Sequence, residues 1–151
     1  MKSLILKAML LLCILTTATA NAQTTIAKPK LFSNFSDNII CSQQEFSKVF
    51  SASVNQNINI SFSSVFSFSG TVTSNVVKYG NLQTAIIRSA AFDGAILVLS
   101  KITNADNSID YVGRIISTKY FDGYELKKDA TNNYQLIKIE TDKVIQVCSQ
   151  N

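Results

Sequence analysis

From Ile58 onward apolar and polar residues alternate. Asn59, Ser61 and Ser63 separate Ile58, Ile60 and Phe62, and the run Phe66, Phe68, Gly70, Val72, Val76 is interleaved with Ser67, Ser69, Thr71 and Thr73. A period of two marks half-buried strand with a hydroxyl-rich outer face. Residues 82–88 and 95–102 form the most apolar pair, and the connection Ser89–Gly94 ends in a turn-forming Asp93-Gly94. The turn cluster Asn104–Ser108 predicts a strand at about 109–118. Phe121-Asp122-Gly123 and Asp129–Asn133 leave strands near 123–128 and 133–139. Before these strands the period is helical. Ser42-Gln43-Gln44-Glu45 reads as a capping box, and Phe46, Val49 and Phe50 follow at i, i+3 and i+4, which predicts a helix over 42–52. At the far end Thr141 as N-cap, with Val144, Ile145 and Cys148 on one side, predicts a short helix.

Every connection between strands is too short for a helical crossover, so the strands pair as an antiparallel meander. The expected class is α+β: an N-terminal helix, a meander of about six strands and a short C-terminal helix. The strand at 95–102 carries Ile96 and Val98 on one face and Leu97 and Leu99 on the other. A strand apolar on both faces needs cover on both. Either the sheet curls towards a half-barrel, or a second molecule supplies the cover.

The first 22 residues read as a cleavable signal peptide. Lys2 and Lys7 form the charged start, Ala8–Leu15 the apolar core, and Ala20-Asn21-Ala22 the small residues a signal peptidase needs. The apolar core is far shorter than the roughly 20 residues of a membrane span. Leu12 before Cys13 is unsuited to lipid attachment, which needs a small residue there. The segment resembles the leaders of bacterial envelope and secreted proteins, and a secreted or periplasmic location follows. Residues 23–30, with the only proline, read as a flexible leader, and 31–151 as a single domain.

Cleavage after Ala22 would discard Cys13 and leave Cys41 and Cys148. In an exported chain such a pair is expected to form a disulfide, here joining the two ends of the domain. Without Lys2 and Lys7 the chain carries twelve basic groups against ten acidic, with no basic run longer than Lys127-Lys128. That is no footprint for nucleic acid. The chain contains no histidine and no tryptophan. Ser-His-Asp and Cys-His catalysis, His-held zinc or copper and His-held haem are therefore excluded. With five glycines there is no phosphate-cradling signature either, and no cofactor is expected. Asn104, Asp106, Ser108 and Asp110 alternate like calcium ligands, but Ile109 and Ile115 stand where an EF-hand needs Gly and Glu. Carboxylate chemistry remains, with Glu45, Glu125 and Glu140 as candidates beside seven Asp.

Two features suit binding. One is the hydroxyl row Ser61, Ser63, Ser67, Ser69, Thr71 and Thr73. The other is a set of aromatics at turns, Phe92, Tyr120, Phe121 and Tyr124, close in sequence to Arg114 and Arg88; Tyr and Arg are enriched at interaction hot spots. The expectation is a non-catalytic binding module for a protein or cell-surface partner, with self-association possible. The alternatives are an inhibitor of a secreted hydrolase and a small carboxylate-only hydrolase such as a glycosidase.

Overall fold

The computed structural model describes residues 28–146, which form one eight-stranded antiparallel sheet and two short helices. In chain order these are β1 (Asn38–Ile40), α1 (Gln44–Ser51), β2 (Asn57–Ser61), β3 (Ser67–Lys78), β4 (Leu82–Arg88), β5 (Ile96–Thr103), β6 (Ile109–Ile116), β7 (Asp122–Lys128), β8 (Tyr134–Glu140) and α2 (Thr141–Gln146). Across the sheet the order is β1-β8-β7-β6-β5-β4-β3-β2. The connections use residues that tolerate a left-handed backbone: Gly80, Asp93-Gly94, Asn107 and Asn132 all have positive φ. Tyr79, at φ 56°, is the aromatic exception.

The sheet curls into a half-barrel, and its inner face is the core. Ile87, Leu97, Leu99, Ile115, Tyr124 and Leu136 are buried there. Helix α1 lies in the curl and buries Phe46, Val49 and Phe50. A bulge between Val72 and Ser74 reverses the facing of β3. It brings the Asn75 amide to the end of α1, where it donates to the carbonyls of Phe50 (3.1 Å) and Ala52 (2.9 Å). The Gln83 amide donates to Phe50 as well, at 2.9 Å. The sheet thus satisfies helix carbonyls that have no partner within the helix.

The other end of the core is closed by residues 31–36. Phe32 is fully buried, with its ring 5.2 Å from Tyr124 and 5.3 Å from Phe92. The Asp122 carboxylate pins this segment by accepting the N–H groups of Leu31 (2.6 Å) and Phe32 (3.0 Å). Consecutive amides then stitch the two edges of the curl together. Cys41 N–H donates to the Tyr134 carbonyl of β8 and Ser42 N–H to the Phe62 carbonyl just past β2, each at 2.8 Å.

Several expectations are corrected here. The fold is mostly antiparallel β with eight strands, not an α+β arrangement around about six. Strand β1 was invisible because three residues are too few to show a period. No disulfide is found among the described residues. Cys41 is a free thiol that donates to the Ile39 carbonyl at 3.3 Å, burial pushes it up to about 11, and Cys148 lies outside the described residues. The capping box does not form. Gln43 occupies the N-cap without a side-chain bond, because the Ser42 amide is committed to Phe62 and Glu45 pairs with Lys48 and caps the Ser61 amide of edge strand β2. Thr141 likewise spends its hydroxyl elsewhere, donating to the carbonyls of Tyr120 and Phe121. The signal peptide, its cleavage site and the start of the leader also lie outside the described residues.

Candidate functional site on the outer sheet face

Curling covers one face of the sheet and leaves the other. On β4, β5 and β6 the outward residues stand in register, row by row. Leu82, Ile102 and Asp110 form the first row, Thr84, Ser100 and Val112 the second, Ile86, Val98 and Arg114 the third, and Arg88, Ile96 and Ile116 the fourth. The hydroxyls of Thr84 and Ser100 bond to each other at 2.8 Å. Helix α1 and residues 31–36 pack on the opposite face. Val112 is 48% exposed, and its aliphatic neighbours on this face are only half-buried.

The face deepens into a groove where β6 and β7 part. Their pairing runs only from Gly113–Leu126 to Ile115–Tyr124. Beyond it the Tyr111 N–H donates to the Tyr134 hydroxyl (2.9 Å), and the Lys128 ammonium reaches across to Asp110 (2.7 Å). The resulting groove of ≈ 950 Å³ is lined by Val98, Ile102, Val112, Arg114, Glu125 and Lys127, among others.

Its charges are mixed and paired. The Arg114 guanidinium donates through Nε (3.0 Å) and Nη2 (2.7 Å) to one Glu125 oxygen, and Lys127 lies 2.9 Å from the other. Burial pushes the Glu125 carboxyl up, but hydrogen bonds from Lys127 and Arg114 more than offset this and hold it below its ordinary value. Asp110 is held low by the Lys128 and Asn104 hydrogen bonds, and Lys128 is raised in turn by Asp110.

Of the expected interaction residues, only Arg114 sits on this face. Phe92 packs into the aromatic end of the core, stacked on Phe68 at 5.6 Å. Tyr124 is fully buried; its hydroxyl donates to the Ser36 carbonyl (2.7 Å), and burial pushes it up to about 12, with Asp122 and Asp37 adding to the rise. Phe121 is half-buried, and its backbone links the Pro29 carbonyl to the Thr141 amide. Tyr120 donates to Asp93 (3.1 Å), itself paired with Lys119, beside a cleft of ≈ 180 Å³ that shares Ile96 and Ile116 with the outer face. The five residues form no single patch.

The other candidates fall elsewhere. Ser67, Ser69 and Thr71 stand opposite Ser61, Asn59 and Asn57 as a polar ladder near the β2 edge, whereas the Ser63 hydroxyl accepts the Phe66 amide in a turn. Glu45, Glu125 and Glu140 are each paired with a neighbouring cation: Lys48; Arg114 and Lys127; and Lys143. In the Asn104–Asp110 loop the Ser108 and Asn104 side chains donate to the two Asp carboxylates. Among the described residues no three His, Cys, Asp or Glu stand together as a metal site.

Sequence reasoning passed over Ser100 and Ile102, whereas the period of two already sets Val112 and Ile116 on one strand face with Arg114. The available signal was the parity of 109–118: if Tyr111 and Ile115 face inward, then Asp110, Val112, Arg114 and Ile116 face outward. Comparison with protein-family models, with curated proteins and with solved structures returns no match.

Proposed function

We propose that this chain is an exported, non-catalytic binding module and that it engages its partner through the outer face of β4–β7. The observation that carries this reading is the aliphatic surface of Ile86, Ile96, Val98, Ile102, Val112 and Ile116, set on the sheet with no other element of the described residues packed over it. An apolar patch rimmed by polar groups marks an interaction site. Arg114, Glu125, Lys127, Asp110 and Lys128 supply the polar rim, and the groove beside Val112 gives the face relief. The composition supports a role without chemistry, since the chain lacks histidine and its three glutamates are tied to cations. Export is proposed from Lys2, Lys7, the apolar stretch Ala8–Leu15 and Ala20-Asn21-Ala22. Mass spectrometry of the mature protein should find Gln23 at the N-terminus.

The test places a photo-cross-linking residue at Val112 and, separately, at Ile40, an exposed position on edge strand β1. Irradiation in the producing cell should give a discrete adduct from position 112 and none from position 40. No adduct from 112 would overturn the reading.

A further inference from the structure

The β3–β4 hairpin ends in a corner that the rest of the fold does not use. Strand β2 pairs with β3 only as far as Thr71, and Asn55 and Gln56 then bond to Val72. From Thr73 to Lys78, β3 keeps β4 on one side and has no strand on the other among the described residues. Val76 faces outward beside Thr84 and is 45% exposed. Val77 faces the other way, beside the Gln83 whose amide bonds to the end of α1, and is 61% exposed. Tyr79, in the turn itself, is 91% exposed.

The turn holds Tyr79 against its own preference. Tyr79 and Gly80 have consecutive positive φ, 56° and 76°. Type I′ hairpin turns require that pair of signs, and Asn-Gly or Asp-Gly supplies it with least strain. At positive φ the Cβ of a bulky residue crowds the following carbonyl. No burial offsets the strain here, because the ring stands in water. Backbone outliers of this kind cluster at functional sites.

We propose that the Val76–Gly80 corner is a contact that this protein seats in a pocket of a protein partner, with the Tyr79 ring as its anchor. A tight hairpin presents the ring with only two side-chain torsions left to fix, so little entropy is lost on docking. A tyrosine buries about 150–250 Å² when it enters such a pocket. Tyrosine is also among the residues that carry most of the energy of an interface. The pocket needs apolar walls to receive Val76 and Val77, and a polar group within reach of the Tyr79 hydroxyl. Charge specifies its mouth. Lys78 is the only charged residue between Ser67 and Ile87, and it enters none of the ion pairs among the described residues. A single carboxylate at the rim of the pocket would answer it. An anionic bilayer draws instead on a cluster of cations, which this corner lacks.

The corner goes beyond the outer face of β4–β7 and does not depend on it. Its test has two arms. Tyr79→Asn gives the turn a residue that tolerates positive φ, and should raise the melting temperature by about 2–4 °C. An unchanged or lower melting temperature would mean that the fold itself uses the ring, and overturns the proposal. In the full chain, p-benzoylphenylalanine in place of Tyr79 should give one protein adduct on irradiation in the producing cell. The partner's cross-linked peptide should carry apolar residues and an Asp or Glu. Adding Lys78→Glu should cut the adduct at least about tenfold. The same probe in place of Ala105, exposed on the neighbouring β5–β6 turn, should give none. No adduct from position 79, an adduct indifferent to Lys78→Glu, one formed equally from position 105, or a lipid adduct each overturns the proposal. The cross-link at Val112 reads the outer face separately, so either surface can fail alone.

Discussion

Asp122 is 2% exposed and carries two backbone amides on its carboxylate, which makes it the hinge pin of the segment that closes the aromatic end of the core. Removing an acceptor from buried donors costs more than the bond itself contributes, because the orphaned N–H groups stay out of water. Asp122→Ala should therefore destabilise the fold by roughly 1–3 kcal/mol in denaturant titration. Hydrogen exchange should accelerate first at Leu31 and Phe32, ahead of α1. The exposed carboxylates act together rather than singly. Asp37, Glu45, Asp93 and Asp110 are held below their ordinary values chiefly by hydrogen bonds to Lys138, Lys48, Lys119 and Lys128, and Asp129 by those from Thr131 and Asn133. Folding lowers these pKa values, so their contribution is complete above the unfolded value near 4 and is lost as pH falls from there through the lower folded values. With no histidine in the chain, the melting temperature should be flat between about pH 6 and 8 and drop below about pH 4.5. The drop should shrink in high salt, since these groups are exposed and screened. A titration step in melting temperature near pH 6.5 would contradict this account.

At the level of elements, β6 combines a close backbone approach with a short seam. Gly113 faces inward, where an added Cβ would lie 2.7 Å from the Val98 carbonyl and 3.0 Å from the Leu99 side chain. Gly113→Ala should cost about 1–3 kcal/mol through overpacking, lowering the denaturation midpoint with an unchanged slope. Two residues away, Tyr134 supplies the hydroxyl that replaces the missing β7 carbonyl at Tyr111 N–H, so Tyr134→Phe opens the seam without emptying the core. The alternation of Ile58, Ile60 and Phe62 with Asn59, Ser61 and Ser63 made strand legible there, because burial on a pleated sheet imposes a period of two whatever the partner. What alternation cannot carry is the identity of a distant partner. Nothing in Asn38-Ile39-Ile40 signals that it will pair with residues 135–137. The capping-box reading of Ser42 and Glu45 failed for a related reason. The Ser42 amide is taken by the Phe62 carbonyl, and the Glu45 carboxylate by Lys48 one turn along the helix and by the Ser61 amide of β2. The turn aromatics were ambiguous in sequence because Phe92 and Tyr124 satisfy hot-spot composition and core packing equally well, and only the arrival of Phe32 from the N-terminal side decides between them.

At the scale of the whole molecule, the chain closes on itself late. Strands β2 to β8 are joined consecutively, and each pairs with its predecessor in sequence, so the meander can assemble from local hairpins. Strand β1 cannot: its partners lie about a hundred residues away, and joining the two edges through Cys41 and Ser42 needs both the Tyr134 and the Phe62 carbonyls in place. Loop closure of that length must be met before these contacts return any stabilisation. The curled meander should therefore be largely formed in the folding transition state, while β1, residues 31–36 and the stitches join afterwards. Ile39 is buried against β8 and Ile87 sits in the middle of the meander on β4, which makes them a matched pair of probes. Ile39→Val should act mainly by speeding unfolding, with a φ-value near 0–0.3, whereas Ile87→Val should slow folding, with a φ-value nearer 0.5–0.8. The reverse assignment, with β1 consolidated early, would mean that closure guides the curl rather than following from it. In either order, closure covers only the inner face, so the pattern of Ile86, Val98, Ile102 and Val112 is unchanged by folding and is still half in water when the last stitch is made.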